Sequence, residues 1–261
     1  MAKHEETLDA EPVYGGMHLE FDFASLRAQG YLAPDSEQRV LADEYRHIKR
    51  PLMINASPAT DPVLERGNLV MVTSAVAGEG KTFTCVNLCL SIAREKDWSV
   101  VLIDGDCNRP LLTRFFGAEE QPGLMELLRD TSLTFDELVM STDVPGLSVL
   151  PAGKRDEHSA ELYASTRMQA LCAALSESNS QRIVVFDSSP LLLTTEAPIL
   201  ASHVGQIVLI VQANKTPQQA VLVALERLDQ SKAINLILNQ AAGRDSVLGY
   251  GAYDDYGEYG T

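Results

Sequence analysis

The stretch Ser74-Ala75-Val76-Ala77-Gly78-Glu79-Gly80-Lys81-Thr82 decides the fold. A β-type apolar run, Leu69–Val72, leads into it, and a helical pattern from Phe83 to Ala93 leads out. Strand, glycine-bearing loop, Lys-Thr and helix form a layout suited to nucleotide phosphates. Loop N–H groups and the positive helix N-terminus point at the β-phosphate. In such loops the lysine, here Lys81, reaches the β- and γ-phosphates, and the hydroxyl, here Thr82, ligates Mg²⁺. The expected ligands are therefore ATP and Mg²⁺, with Ala77, Gly78, Glu79, Gly80, Lys81, Thr82 and Phe83 around the nucleotide. Ala75 stands where the G-x-x-x-x-G-K-[ST] pattern has its first glycine. Alanine restricts the backbone, so an altered start to the loop is expected there. The bland competitor is a Gly-rich β-to-α turn with an incidental lysine; the flanking strand and helix argue against it.

Composition narrows the possibilities. A chain of 261 residues, 45% hydrophobic, suits one large α/β domain with extensions. A formal net charge of −15 disfavours a nucleic-acid partner, which needs a basic surface. Cys85, Cys89, Cys107 and Cys172 show no CxxC pairing and read as small core thiols, in keeping with a reducing cytoplasm. No apolar run approaches the ~20 residues that span a bilayer. The opening Met-Ala-Lys-His-Glu-Glu lacks the apolar centre of a secretory signal.

In order along the chain, residues Met1 to about Gly16 are polar, acidic and expected to be mobile. Phe21–Pro34 reads as a short helix ended by Gly30, and a longer helix is predicted from Ser36 to Ile54 with a break at Pro51. Asp43, Arg46 and Lys49 share one face of it, with Arg50 close by. Such a row either solvates a helix or forms ion pairs between subunits. After a Pro-rich linker, Ala56–Arg66, apolar runs recur at Leu69–Val72, Val100–Ile103, Leu147–Leu150, Ile183–Phe186, Ile207–Val211 and Ile234–Leu238. Helical segments separate most of them: Phe83–Arg94, Leu111–Phe116, Gly123–Leu128, Ser159–Glu177, Thr195–Ser202 and Pro217–Gln230. This alternation predicts an α/β fold, a P-loop NTPase with a mostly parallel sheet covered by helices on both faces. The domains are expected as an N-terminal extension (1–35), a helix and linker suited to oligomerisation (36–66), the P-loop domain (67–243) and a flexible tail (244–261).

Ligands in such sheets bind at the carboxyl ends of the strands. Val101-Leu102-Ile103 runs into Asp104-Gly105-Asp106, and Ile183-Val184-Val185-Phe186 ends in Asp187. In a P-loop fold an Asp at a neighbouring strand end holds Mg²⁺, which is the role expected of Asp187. Thr82 and Asp106 complete the expected metal set. Alone, each aspartate would be a turn residue or a helix cap. The Asp104-x-Asp106 pair exceeds what Mg²⁺ demands, leaving one carboxylate to receive a proton from an incoming hydroxyl.

The tail carries half of the chain's eight tyrosines: Tyr250, Tyr253, Tyr256 and Tyr259. A spacing of three matches neither strand nor helix period, and the surrounding glycines and acids favour a solvated segment. Either a sticky low-complexity tail or a set of phosphate acceptors fits. From Arg244 it spans about 50–60 Å when extended, enough to reach a neighbouring subunit.

These features together resemble the bacterial tyrosine kinases of capsule and exopolysaccharide export, most closely the exosortase-associated (PEP-CTERM locus) tyrosine autokinases. The carriers are Leu26–Pro34, Glu44–Leu52, Gly78–Thr82, Leu102–Pro110, Leu147–Gly153 and the terminal tyrosines. The resemblance implies autophosphorylation of Tyr250, Tyr253, Tyr256 and Tyr259 in trans within a ring of subunits. It implies a catalytic set of Lys81, Asp104 and Asp106, with Asp104 toward the tyrosine hydroxyl and Asn239 facing adenine. The family's ring-forming acid-x-x-Arg-x-x-Arg motif is matched by Asp43, Arg46 and Lys49. Its phosphate loop usually has Pro at Ala77, and its second metal segment usually reads Asp-Thr-Pro-Pro where this chain has Asp187-Ser188-Ser189-Pro190. Implied partners are a separate transmembrane polysaccharide co-polymerase as activator and a cognate phosphotyrosine phosphatase, with the protein peripheral at the inner face of the plasma membrane.

Two rivals share parts of the pattern. Positioning ATPases of the ParA/MinD class carry a lysine five residues before the loop lysine, where this chain has Val76. A non-catalytic assembly module would use the tail and the charged helix alone. If the tail is the acceptor, each phosphate adds about −1.5 to −2 charges to an already acidic segment. Full modification is then expected to loosen a ring. Native mass spectrometry of the fourfold-phosphorylated protein checks this, and equally stable rings would contradict it.

Overall fold

The computed structural model describes residues 14–33, 38–60, 63–177 and 181–241. Tyr250, Tyr253, Tyr256 and Tyr259 lie outside them. Two helices, α1 (Phe23–Ala28) and α2 (Arg39–Ala56), precede the sheet. There follow β1 (Leu69–Ser74), α3 (Lys81–Ile92), β2 (Ser99–Gly105), α4 (Leu111–Phe115), α5 (Leu124–Arg129) and α6 (Phe135–Leu138). Next come β3 (Met140–Ser141), β4 (Leu147–Leu150), α7 (Ser159–Tyr163), α8 (Thr166–Glu177) and β5 (Arg182–Ser188). The described chain closes with α9 (Glu196–His203), β6 (Gln206–Gln212), α10 (Gln218–Glu226) and β7 (Ala233–Asn239).

The strands form one sheet in the order β3-β4-β2-β5-β1-β6-β7, parallel except for β3 against β4. Alternation along each strand divides the core between the two faces. Val70, Val72, Val100, Leu102, Ile183 and Val185 face the side covered by α2 and α3. Leu69, Met71, Val101, Ile103, Val184 and Phe186 face the opposite side. Burial on both faces is why these strands read as unbroken apolar runs. β1 is central, with β5 on one side and β6 on the other.

Several local expectations change. α2 continues through Pro51, because burial of Ala42, Tyr45, Lys49 and Leu52 along one side holds it against the domain. The helix expected over Ser159–Glu177 is two helices: the Tyr163 hydroxyl is anchored on the Gly105 carbonyl at 2.9 Å, and Ser165 Oγ accepts from the Met168 N–H at the restart. The expected mobile stretch does not include residues 14–16. Gly15 and Gly16 donate to the Asp136 and Val139 carbonyls.

Lys49 departs most from the sequence reading. It does not share the exposed row: Asp43 and Arg46 pair on the surface at 2.5 Å, but Lys49 is 4% exposed. Its Nζ donates to the Ser91 carbonyl at 2.6 Å and pairs with Glu95 at 2.7 Å, tying α2 to the end of α3. Removing this donor leaves a buried carbonyl without a partner, a loss of about 1–3 kcal/mol. Lys49→Met keeps most of the stem, so urea unfolding of that variant should show a loss in this range; unchanged stability would contradict the assignment.

Candidate phosphoryl-transfer site

The pairing of β1 with β5 and of β5 with β2 brings the predicted residues to one edge of the sheet. Asp104 and Asp187 are register partners on adjacent strands. The Thr82 hydroxyl, in the first turn of α3, donates to Asp187 Oδ2 at 2.7 Å. Cross-bonds hold the strand ends in place: Thr73 Oγ1 donates to the Ser189 carbonyl at 2.9 Å and Ser188 Oγ to the Val72 carbonyl at 3.0 Å. The Leu191 and Leu192 N–H groups donate to Ser74 and Ala75 at 2.8 and 3.3 Å, so the segment after Asp187 runs along the base of the phosphate loop.

The loop makes its turn at Gly78 and Gly80, both with positive φ. Ala75 is wholly buried and keeps an ordinary backbone conformation, so the missing first glycine leaves the turn intact. A side chain at Gly80 would be strained by its positive φ, and its Cβ would lie 2.2 Å from Asn239 Nδ2, displacing that amide. That amide donates to the Glu79 carbonyl at 2.8 Å, so Asn239 braces the phosphate loop.

The Glu79 side chain is wholly buried. Oε2 accepts from the Val76 N–H at 2.8 Å. Oε1 accepts from the Gln212 N–H at 3.2 Å and from the Thr216 hydroxyl. Only its backbone N–H is left for a nucleotide, and the carboxylate is a strut between the loop and the end of β6. Two of its three partners, Gln212 and Thr216, lie more than 130 residues away, so the sequence alone does not show this strut.

The two aspartates after β2 also divide. Asp104 is wholly buried; Oδ1 accepts from the Asp106 N–H at 3.1 Å, and Oδ2 accepts from the Thr113 N–H at 2.8 Å and its hydroxyl at 2.7 Å. Both oxygens of Asp104 are thus engaged inside its own chain, which fixes the carboxylate in place. Thr113, which gave no signal in the sequence, is its anchor. Asp106 is partly exposed and accepts from the Arg109 N–H through Oδ1 at 3.0 Å. It is the carboxylate on the open side.

Burial dominates the electrostatics of these carboxylates. Burial pushes Asp187 up to about 6, against the pull of the Thr82 hydroxyl and Lys81. Burial, then the Asp187 charge, pushes Asp104 up to about 7. Burial raises Asp106, with Arg109 and Lys81 working against it. The Cys85 thiol lies beside Asp187 as a weak donor, and Oδ1 has no hydrogen bond of ordinary geometry. A buried carboxylate oxygen lacking a partner fits the role of receiving a metal or a metal-bound water. Among the described residues no group of three or more His, Cys, Asp or Glu side chains could hold a metal alone, so the remaining ligands would be the Thr82 hydroxyl, phosphate oxygens and water.

A pH dependence follows. Both folded-state values lie above that of an unfolded aspartate, so the folded protein binds these protons more tightly. The resulting stabilisation is complete below the unfolded value and is lost as pH rises through about 6 and about 7. Without nucleotide, thermal unfolding should shift to lower temperature between about pH 4 and about pH 7, and Asp187→Asn should flatten part of that slope. A slope untouched by Asp187→Asn would contradict the assignment.

Residues 70–247 match the family model for the CobQ/CobB/MinD/ParA nucleotide-binding domain. The chain is 32% identical to the tyrosine-protein kinase YwqD of Bacillus subtilis over 198 residues, covering 74% of this chain and 77% of YwqD. It is also 32% identical over 176 residues to the tyrosine-protein kinase Ptk of Acinetobacter johnsonii, of which it spans 24%. Among solved structures, the BceF tyrosine kinase domain superposes with a TM-score of 0.64 at 26% identity, over 86% of this chain and 92% of that domain. With its phosphate loop, paired strand-end aspartates and these relatives, the chain belongs to the bacterial tyrosine-protein kinases built on a MinD/ParA-type nucleotide-binding domain.

Proposed function

We propose that this protein is an ATP- and Mg²⁺-dependent tyrosine autokinase that phosphorylates its own terminal tyrosines, Tyr250, Tyr253, Tyr256 and Tyr259, in trans. The observation that carries this reading is the Thr82–Asp187 contact with Asp106 beside it on the exposed side. The arrangement suits a metal–nucleotide complex with room for a second substrate. Lys81 and the amides of residues 77–83 would neutralise charge on the transferring phosphoryl group. Thr82 and Asp187, with Asp106, would hold Mg²⁺ and its waters; bound there, the ion would offset phosphate charge.

The tyrosine oxygen attacks the γ-phosphorus in line, the bond to the β–γ bridging oxygen breaks, and ADP leaves. A phenol of pKa about 10 must lose its proton during or after attack. Asp106, on the open side, would orient the hydroxyl and receive that proton. Asp104 acts behind it by fixing the Asp106 backbone. Orientation contributes more than basicity here.

Assembly between copies would use Asp43, Arg46 and Arg50 on the exposed side of α2, since Lys49 is engaged within its own subunit. The relatives' names support a tyrosine-kinase reading. A setting in exopolysaccharide or capsule production, with a transmembrane co-polymerase as activator, a phosphotyrosine phosphatase in opposition and a position at the inner face of the plasma membrane, belongs to the same proposal. No helix among the described residues is long and apolar enough to cross a membrane.

Incubation with ATP and Mg²⁺ followed by phosphotyrosine mapping tests the assignment. Labelling should fall on the terminal cluster, vanish in Lys81→Met, and drop roughly 10²-fold or more in Asp106→Asn. ADP release without labelling would favour a ParA/MinD-like ATPase, and neither would favour an assembly module.

A further inference from the structure

Residues 21–33 precede the segment matched by the family model, yet their rings run to the catalytic edge of the sheet. Phe23 stacks on Phe21 at 5.9 Å, and Phe21 meets Phe116 edge-on at 5.2 Å. Phe116 contacts Phe115 at 5.0 Å. Tyr31 then lies against Phe115 at 5.0 Å and against Phe83 at 4.9 Å. Phe83 directly follows Thr82 in the first turn of α3, and Phe115 closes α4, the helix whose Thr113 anchors Asp104. Tyr31 is thus the ring that joins the helix bearing Lys81 and Thr82 to the helix behind Asp104 and Asp106.

Its position is held independently of the ring contacts. The Leu32 N–H donates to Asn87 Oδ1 at 2.7 Å within α3, and Arg94 donates to the Ala33 carbonyl at 2.9 Å. Tyr31 is 8% exposed. Burial and then the Asp187 charge raise its phenol, so it lies within electrostatic range of that carboxylate. Among the described residues no hydrogen bond ties the Tyr31 hydroxyl to the site, and its ring is the part in contact with both helices.

We propose that Tyr31 is a positioning residue: by packing between Phe83 and Phe115 it sets the separation between the Lys81–Thr82 turn and the Asp104–Asp106 turn. This deepens, and rests on, the reading of the site as a metal-dependent kinase. A ring wedged between two helices transmits shape, so loss of the ring lets α4 shift and moves Asp106 away from the metal held by Thr82. Loss of outer-shell partners that bond metal ligands directly costs about 10- to 100-fold in metal affinity or activity, and loss of this ring is expected at about the lower end.

The test uses the full chain as wild type, Tyr31→Phe, Tyr31→Leu and Tyr31→Ala. The principal readout is the Mg²⁺ concentration giving half-maximal binding of a fluorescent ATP analogue; autophosphorylation rate at saturating Mg²⁺ and ATP is the second. Tyr31→Phe should stay within about twofold of wild type, while Tyr31→Leu and Tyr31→Ala should need about tenfold more Mg²⁺. Leucine keeps apolar volume, so it carries the test where alanine fails to fold. A folded Tyr31→Leu with the wild-type Mg²⁺ requirement overturns the inference, and so does a Tyr31→Phe as impaired as the alanine variant. Wild type that binds nucleotide but labels no tyrosine defeats the kinase reading instead, while the Mg²⁺ titration still decides the role of Tyr31.

Discussion

A carboxylate stripped of water sits at the centre of this structure. Asp187 ends a strand buried on both faces, takes one hydrogen bond from Thr82, and is pushed up to about 6 by its burial. Keeping a charge there without a cation is costly, and the surrounding features reduce that cost or exploit it. The register of β1, β5 and β2 places Thr82 and Asp104 beside Asp187, and Lys81 supplies the positive charge. A site arranged this way is least favourable when empty and best satisfied when a metal–nucleotide complex arrives.

Around that centre, most polar side chains serve the shape of the loop rather than contact with a ligand. Glu79 braces the loop against β6, Asn239 holds it from β7, and Thr113 fixes the turn that carries Asp106. Preorganisation of this kind lets backbone amides and a few exposed groups act without rearrangement. It also separates the two aspartates at the end of β2 into a buried one and a partly exposed one.

Much of this was legible in the amino-acid order. The strands announced themselves because residues such as Val70–Val72 and Ile183–Phe186 are buried on both faces and therefore apolar without interruption. Thr82 and Asp187 could be paired because loop, strand end and metal chemistry constrain one another. Lys49 was misread because its spacing from Asp43 and Arg46 is a helix-face argument, whereas its partners, Ser91 and Glu95, lie on a different helix. The bracing by the Glu79 carboxylate and the anchoring by Thr113 are not legible for the same reason: both are set by neighbours distant in the chain, which periodicity does not carry. The terminal tyrosines were legible only as chemistry, and they lie beyond the described residues.

The most direct test of transfer between copies uses two defective proteins together. One is the Lys81→Met chain, with an intact tyrosine cluster and no competent phosphate loop. The other carries phenylalanine at positions 250, 253, 256 and 259, with an intact site and no terminal acceptors. Neither alone should gain terminal phosphotyrosine in the presence of ATP and Mg²⁺; mixed, the Lys81→Met chain should become labelled on its terminal tyrosines. A mixture that stays unlabelled while wild type modifies itself would contradict transfer between copies.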